Sequence, residues 1–198
     1  MDKKNRAVFL DRDGVINDDD RMNMISSSGK VVKGHTHKRA QWFYLKGAIE
    51  GLKKLSDSDY KVIIITNQSA IARGFCTEKE IETLHDIITE ELNEENIYID
   101  KFYICPHHPT EGIGRYKIEC DCRKPKIGLI RRAILEYDID PSKSFMVGDK
   151  KRDVQCGKDA GCKTIFIDNS KRNCDTRPDF ITDNLDKAAD IILKKEKG

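Results

Sequence analysis

The sequence predicts an α/β fold, a doubly wound parallel sheet covered by helices on both faces. Three observations carry that expectation. Four short apolar runs each stop abruptly at a polar loop, helical segments lie between them, and the composition suits a globular chain with a core. The first run, Ala-Val-Phe-Leu at 7–10, halts at Asp11, Arg12, Asp13 and Gly14, as a buried strand entering a turn does. A helix is expected over 48–55, and then Lys-Val-Ile-Ile-Ile at 61–65 halts at Thr66, Asn67, Gln68 and Ser69. The next helix, over 77–92, opens on Thr-Glu-Lys-Glu, a capping box in which Thr77 and Glu80 satisfy each other's backbone amides. After a helix over 127–137, Ser-Phe-Met-Val at 144–147 halts at Gly148 and Asp149; a helix over 153–160 leads to Thr-Ile-Phe-Ile at 164–167, ending at Asp168. Asp183 is placed as the cap of a last helix through 193, before the charged tail 194–197. Ligands of parallel sheets bind outside the carboxyl ends of the strands, and three of the four runs deliver polar residues to that edge.

Composition narrows the classes. The chain has 198 residues, 38% hydrophobic and 35% charged, which excludes a disordered, collagen-like or coiled-coil chain and suits one domain over 1–198. Such a domain buries about 70% of its unfolded surface. Lys and Arg exceed Asp and Glu by two, 36 against 34, so no overall field favours nucleic acid or an anionic membrane. The longest purely aliphatic stretch is four residues at 62–65, far short of the roughly 20 that span a bilayer. The start of the chain leads into only four apolar residues, too few for a secretion leader, so the cytoplasm is the expected compartment. Seven cysteines, three of them at 105, 120 and 122, fit metal binding better than disulfides there. Two stretches break the alternation and read as excursions: 18–45, polar and basic-aromatic, and 105–124, which holds the Cys/His cluster.

Asp11 and Asp13 follow a strand directly, and two carboxylates so close repel unless a cation or proton neutralises them. An Asp-x-Asp-Gly tetrapeptide alone reads as a solvated turn. Asp149, also at a strand end, and Asp153 four residues on shift the reading toward a hard divalent cation such as Mg2+, which takes carboxylates together with substrate phosphate. Thr66 and Lys124 can bring a hydroxyl and an ammonium to the same mouth.

Cys105, His107, Cys120 and Cys122 supply three thiolates and an imidazole, the donor set of a closed tetrahedral Zn2+ site. The usual pair spacing is absent, so buried free thiols remain the other reading, and His108 competes with His107. Cys76, Cys156, Cys162 and Cys174 read as buried or idle thiols.

Residues 9–17 (Phe-Leu-Asp-Arg-Asp-Gly-Val-Ile-Asn) resemble the first motif of the haloacid dehalogenase superfamily of phosphatases. Thr66 to Ser69 resemble its second motif, Lys124 its third, and Gly148-Asp149-x-x-x-Asp153 its fourth. The resemblance implies a Rossmann-like core without a large separate cap. It casts Asp11 as nucleophile, Asp13 as general acid and base, and Thr66 and Lys124 as partners of the transferring phosphoryl oxygens. Mg2+ is then held by Asp11, Asp13 and Asp149, with Asp153 either joining them or bracing the loop. Cys-Pro-His-His-Pro followed by Cys-Asp-Cys-Arg-Lys-Pro resembles the zinc-bearing branch that contains heptose 1,7-bisphosphate phosphatases and histidinol-phosphate phosphatases. In that branch Cys105, His107, Cys120 and Cys122 hold a structural zinc that pins the loop carrying Arg123 and Lys124.

The resemblance also implies substrate contacts from Arg12 (through its backbone), Asp19, Asn67, Gln68, Ser69, Arg73, Arg123 and Lys150; Arg123 has the planar fork that suits phosphate. Ala70 stands where the family usually has Gly. The insert 18–45 is longer than the pattern expects. Its Lys30, Lys33, His35, His37, Lys38, Arg39, Trp42, Phe43 and Tyr44 leave four readings: a specificity loop, an oligomer contact, a nucleic-acid contact, or a mobile surface segment. His35 and His37 lack a third ligand nearby and are left out of the metal count. The expected activity is a Mg2+-dependent phosphatase removing the 7-phosphate of heptose 1,7-bisphosphate, acting as a monomer on a small phosphorylated sugar without membrane or nucleic acid. Histidinol-phosphate phosphatase, a DNA 3'-phosphatase and a catalytically silent zinc-stabilised binding protein are the rivals.

Overall fold

A computed structural model describes residues 4–19, 23–25, 31–168 and 175–194; Lys30, Cys174 and the tail beyond Lys194 lie outside them. The strands are β1 (Arg6–Leu10), β2 (Asn23–Ile25), β3 (Val31–Lys33), β4 (Tyr60–Asn67), β5 (Lys101–Cys105), β6 (Phe145–Gly148), β7 (Lys163–Ile167) and β8 (Phe180–Thr182). The helices are α1 (Ala48–Ser56), the single turn α2 (Ser69–Ala72), α3 (Glu78–Glu94), α4 (Gly128–Tyr137), α5 (Lys151–Asp159) and α6 (Leu185–Lys194). Six strands form one parallel sheet in the order β5-β4-β1-β6-β7-β8, with Leu10 beside both Ile64 and Val147. The chain winds outward from β1 through β4 and β5, then returns to β6 on the other side of β1. That reversal opens a crevice at the carboxyl ends of β4, β1 and β6, where ligands of such sheets bind.

Alternation along each strand explains the doubly wound form. Val8, Leu10, Val62, Ile64 and Val147 face one core with Leu52 and Leu55 of α1, Ile88 of α3 and Leu185 and Ile192 of α6. Their neighbours Ala7, Phe9, Ile63, Ile65 and Met146 face the other, with Leu129, Ile130 and Ala133 of α4 and Cys156 of α5. A strand buried on both faces shows no polar alternation, which is why these runs are apolar throughout.

The four expected strands are present, but the sheet has two more. β5 lies at an edge with Lys101 exposed, and its last residue begins the Cys/His excursion, so sequence merged the two. β8, three residues at the opposite edge, is too short to show a period. The capping box forms: Glu80 N–H donates to Thr77 Oγ1 at 3.2 Å and Thr77 N–H to Glu80 Oε2 at 2.8 Å. The last helix is capped one residue later than expected. Lys187 N–H donates to Asn184 Oδ1 at 2.9 Å, while Asp183 pairs with the Lys187 ammonium. Helix α5 begins two residues early because Asp153 sits in its first turn, with its carboxylate accepting from Lys150 N–H at 3.0 Å.

Within the insert, β2 and β3 pair antiparallel, and the stem is closed by Asp18 N–H to Phe43 O and Leu45 N–H to Ile16 O, both 2.9 Å. In its returning half Thr36, His37 and Trp42 are buried, while Lys38, Arg39, Ala40 and Phe43 are exposed. Ala70 lies inside the helical turn α2, whose backbone accepts a Cβ.

Leu52 is fully buried in the first core. Leu52→Ala is expected to cost about 2–5 kcal/mol, seen as a lower urea midpoint at unchanged slope.

Candidate active site

Asp11 leaves β1 with its amide bonded to Val147 O at 2.9 Å, so the first residue past the strand is fixed against β6. Its carboxylate Oδ1 accepts from Arg12 N–H at 2.8 Å and faces the Lys124 ammonium at 2.8 Å; Oδ2 is buried and has no hydrogen-bond partner. Lys124 lies equally close, 2.8 Å, to Asp153 Oδ1, and all three side chains are buried. Asp149 enters from β6, with Lys150 Nζ 3.3 Å from its Oδ2. Two glycines permit this closeness. A Cβ on Gly14, whose φ is +90°, would lie 2.3 Å from Asp149 Oδ2, and one on Gly148 would lie 2.1 Å from Asp153 Cβ.

These neighbours push the two key acids apart. Burial drives the Asp11 carboxyl up, but Lys124, Lys150 and Arg152 together overcome it and hold the group at about 2. For Asp149 burial wins, aided by Asp11 and Asp153 and only partly offset by Lys150, and the carboxyl is raised to about 7. Asp11, Asp149 and Asp153 each bring an oxygen within 4.8 Å of the others. An all-oxygen, buried, anionic donor set in which Asp11 Oδ2, Asp149 Oδ1 and Asp153 Oδ1 make no hydrogen bond fits a hard divalent cation such as Mg2+, which would relieve the crowding of Asp149. Asp153 already has both oxygens engaged, by Lys150 N–H and Lys124, the arrangement of a brace.

Asp13 sits at the rim. Its Oδ2 accepts from Gln68 Nε2 at 2.9 Å, and the same amide nitrogen is 2.9 Å from Thr66 Oγ1, so one side chain joins the ends of β1 and β4. Gln68 is buried in this bridging role. Asn67 likewise turns inward. Its Nδ2 donates to Lys124 O at 3.1 Å and its Oδ1 accepts from Lys124 N–H at 3.0 Å, clamping the lysine's backbone. Arg12 was expected to offer its backbone beside the ligand; its side chain is fully buried and donates to Asp13 Oδ1. Ser69 is buried with its Oγ 3.4 Å from Arg73 Nη1, and Arg73 is committed to Glu111 Oε2 and to His35 Nε2 at 2.7 Å. Asp19 lies against Gly34 and near Lys150. Arg123 Nη1 donates to His107 O at 2.9 Å.

Sequence reasoning passed over Arg152. It stands between Asp149 and Asp153 in the fourth motif, and its charge acts on Asp153, Asp11, Asp149 and Asp13. The signal was its position, three residues after Asp149 in the first turn of α5.

Beside this centre, the sulfurs of Cys105, Cys120 and Cys122 stand 3.2 to 3.6 Å apart, and His107 Nδ1 is 3.4 Å from Cys122 Sγ. Zinc–sulfur bonds of about 2.3 Å place tetrahedral sulfurs about 3.8 Å apart, so the quartet fits zinc with slight expansion. His108 is turned away, accepting from Glu111 N–H at 3.0 Å, which leaves His107 as the nitrogen donor. The adjoining Cys105 thiol and burial drive Cys122 well above the ordinary thiol range; crowded thiols ionise together only around a cation.

A family model described as "HAD-hyrolase-like" matches residues 121–188. The chain is 37% identical to the D-glycero-beta-D-manno-heptose-1,7-bisphosphate 7-phosphatase of Haemophilus influenzae, over 98% of this chain and 99% of that one. It is 39% identical to the alpha-named counterpart from Photorhabdus laumondii, over 83% and 82%. A solved D,D-heptose 1.7-bisphosphate phosphatase from B. bronchiseptica, complexed with magnesium and phosphate, is 27% identical with a TM-score of 0.77, over 96% of this chain and 99% of that chain.

Metal analysis of the purified protein is expected to find one zinc per chain. Cys120→Ser should lose it and lower Tm by at least about 5 °C.

Proposed function

Since the chain belongs to the haloacid dehalogenase-like hydrolases, in the family of the D-glycero-D-manno-heptose-1,7-bisphosphate 7-phosphatases, we propose that it removes the 7-phosphate of that bisphosphate by way of an aspartyl-phosphate. The observation that carries the reading is the Lys124 ammonium 2.8 Å from both Asp11 and Asp153, beside Asp149 at one rim of the sheet. The relatives' names favour heptose bisphosphate over histidinol phosphate.

Asp11, held ionised at about 2, is the nucleophile. One of its oxygens forms a bond to phosphorus as the bond from phosphorus to the sugar oxygen breaks. Asp13 gives its proton to that leaving oxygen. Water then attacks phosphorus, Asp13 takes the water's proton, and cleavage of the acyl-phosphate bond frees phosphate and restores Asp11. Lys124 and the Thr66 hydroxyl stand where negative charge accumulates on the phosphoryl oxygens, positioned before the reaction and therefore at no reorganisation cost in the transition state. Mg2+ would be held by Asp11, Asp149 and the backbone of Asp13, and when bound supplies charge neutralisation between nucleophile and phosphate. Arg123, Lys150 and Arg152 add cations to the mouth for the substrate's anionic groups. The zinc quartet serves as a clamp: with four donors in place it has no position for an activated water.

We further propose that the chain acts as one domain and as a monomer in the cytoplasm. One sheet runs from Arg6 to Thr182, and a cluster of three free thiols and an imidazole suits a reducing compartment.

Phosphate release from both anomers of heptose 1,7-bisphosphate, histidinol phosphate and 3'-phosphorylated DNA tests the substrate; turnover is expected on heptose bisphosphate, and its absence there sinks the reading. Asp11→Asn is expected to lower kcat by at least about ten-thousandfold with the fold retained by circular dichroism and Tm lowered, since the buried Lys124 loses a charged partner. Chelation of Mg2+ should stop turnover and its return restore it.

A further inference from the structure

Arg12 is the largest fully buried side chain among the described residues, and a buried guanidinium must place its N–H groups on acceptors. Nε and Nη2 donate to Asp13 Oδ1 at 3.0 and 2.7 Å, and Nη2 also reaches Thr36 O at 2.8 Å. Nη1 meets His85 Nε2 at 3.2 Å. Arginine cannot accept, so Nε2 is the acceptor and the neutral ring carries its proton on Nδ1. The ring fits that state: His85 is 5% exposed on α3 and stacks on Phe102 at 4.2 Å and 18°. Burial first, and the Arg12 charge second, keep it well below the ordinary histidine range. Trp42 flanks the guanidinium, its ring 5.6 Å from Cζ.

Three anchors in different directions, His85 Nε2, Thr36 O and Asp13 Oδ1, fix the plane of the guanidinium. That plane in turn fixes the carboxylate it forks. Oδ1 takes both Arg12 donors and Asn17 Nδ2 at 3.0 Å, which leaves Oδ2 to accept from Gln68 Nε2, the nitrogen that also reaches Thr66 Oγ1. We infer that His85 is a positioning residue for the acid–base step, setting through Arg12 the rotation of the Asp13 carboxylate toward the leaving group. The inference rests on Asp13 being the general acid, as proposed above. Without an acceptor for Nη1, the guanidinium turns to find one and its fork on Asp13 is lost. The backbone and the rest of the site stay as they are.

The test compares two leaving groups with Mg2+ present. A sugar alkoxide needs a proton as it departs, whereas para-nitrophenolate leaves without one. His85→Phe keeps the stack on Phe102 and removes the acceptor; His85→Gln keeps an acceptor oxygen. In single-turnover measurements, which read leaving-group departure apart from the hydrolysis step common to both substrates, His85→Phe is expected to slow release of the sugar product from heptose 1,7-bisphosphate about ten- to a hundredfold, with KM within about twofold, and to change release of para-nitrophenolate by less than about threefold. His85→Gln should recover most of the loss. Equal loss on both substrates, no loss on either, a change confined to KM, or no recovery with His85→Gln would each overturn the inference. Should His85→Phe not fold, as judged by Tm, Arg12→Lys keeps the charge, removes the fork and is read by the same comparison. Asp13→Asn separates the two claims. If it shows no leaving-group preference, the acid role of Asp13 falls and the inference with it; if it shows one and His85→Phe does not, the inference alone falls.

Discussion

A lysine ammonium buried between two carboxylates, 2.8 Å from each, is the constraint around which the rest of the site is arranged. Burial alone would drive Lys124 toward neutrality, but Asp11 and Asp153 outweigh it and raise its pKa. Such a group adds little net stability, since desolvation of the ions consumes most of their attraction, yet loss of one member leaves an uncompensated charge costing about 3–5 kcal/mol. Its value lies in geometry. The three acids and the lysine come from the ends of β1 and β6, the first turn of α5 and the loop before α4, so the interaction holds four separate pieces of chain at fixed separation. The surrounding contacts serve the same end: Asn67 clamps the lysine backbone on two sides, and Arg123, the next residue back, is tied to His107 O in the cysteine loop.

Charge balance follows from that core. Three buried acids, Asp11, Asp149 and Asp153, meet three cations, Lys124, Lys150 and Arg152, so the mouth is close to neutral before anything binds. A phosphate dianion and a divalent cation entering together leave that balance unchanged. Within the neutral total the acids are unlike. One is held at about 2, ready to attack, and another rests near 7, ready to become a ligand when positive charge arrives. Carboxylates pushed apart by their surroundings mark acid and base assignments in active sites, and here the same push separates Asp11 from Asp149, the proposed nucleophile from the proposed metal ligand.

Position at the rim was legible in the sequence; direction was not. The apolar runs placed Asp11, Thr66 and Asp149 at adjacent strand ends, because a strand buried on both faces can bear a polar residue only where it stops. The four zinc donors were legible through their chemistry. Arg12, Asn67, Gln68 and Arg73 share the same loops, but each turns to bond its own protein, and no spacing rule tells a side chain that meets a ligand from one that holds its neighbour. His85 illustrates the converse: on the apolar stripe of α3 it looks like core, and it is core, yet its one acceptor nitrogen meets the guanidinium that holds Asp13. Edges were missed for a different reason, since β5 and β8 are half-solvated or short and carry no clean period.

The two excursions from the alternating pattern, one after β1 and one after β5, are joined across the mouth by a single arginine. Arg73 donates through Nε to Glu111 in the cysteine loop at 2.9 Å, and its Nη1 is 2.7 Å from His35 Nε2 in the insert. His35 must accept, so its ring must be neutral, and burial followed by the Arg73 charge holds it at about 4. The residue also adopts a left-handed backbone, φ +87°, a conformation that persists in a non-glycine residue only where the surroundings over-determine it. Its ring packs at a tilt against Phe75 and its carbonyl accepts from His37, which supply that over-determination. Thr36 and Trp42, a few residues on, meet Arg12 and through it Asp13. The insert therefore reaches the proposed site twice, once through Asp13 and once through the loop between Cys105 and Cys122. A change in its length or sequence would be felt at Asp13 and at the zinc loop together.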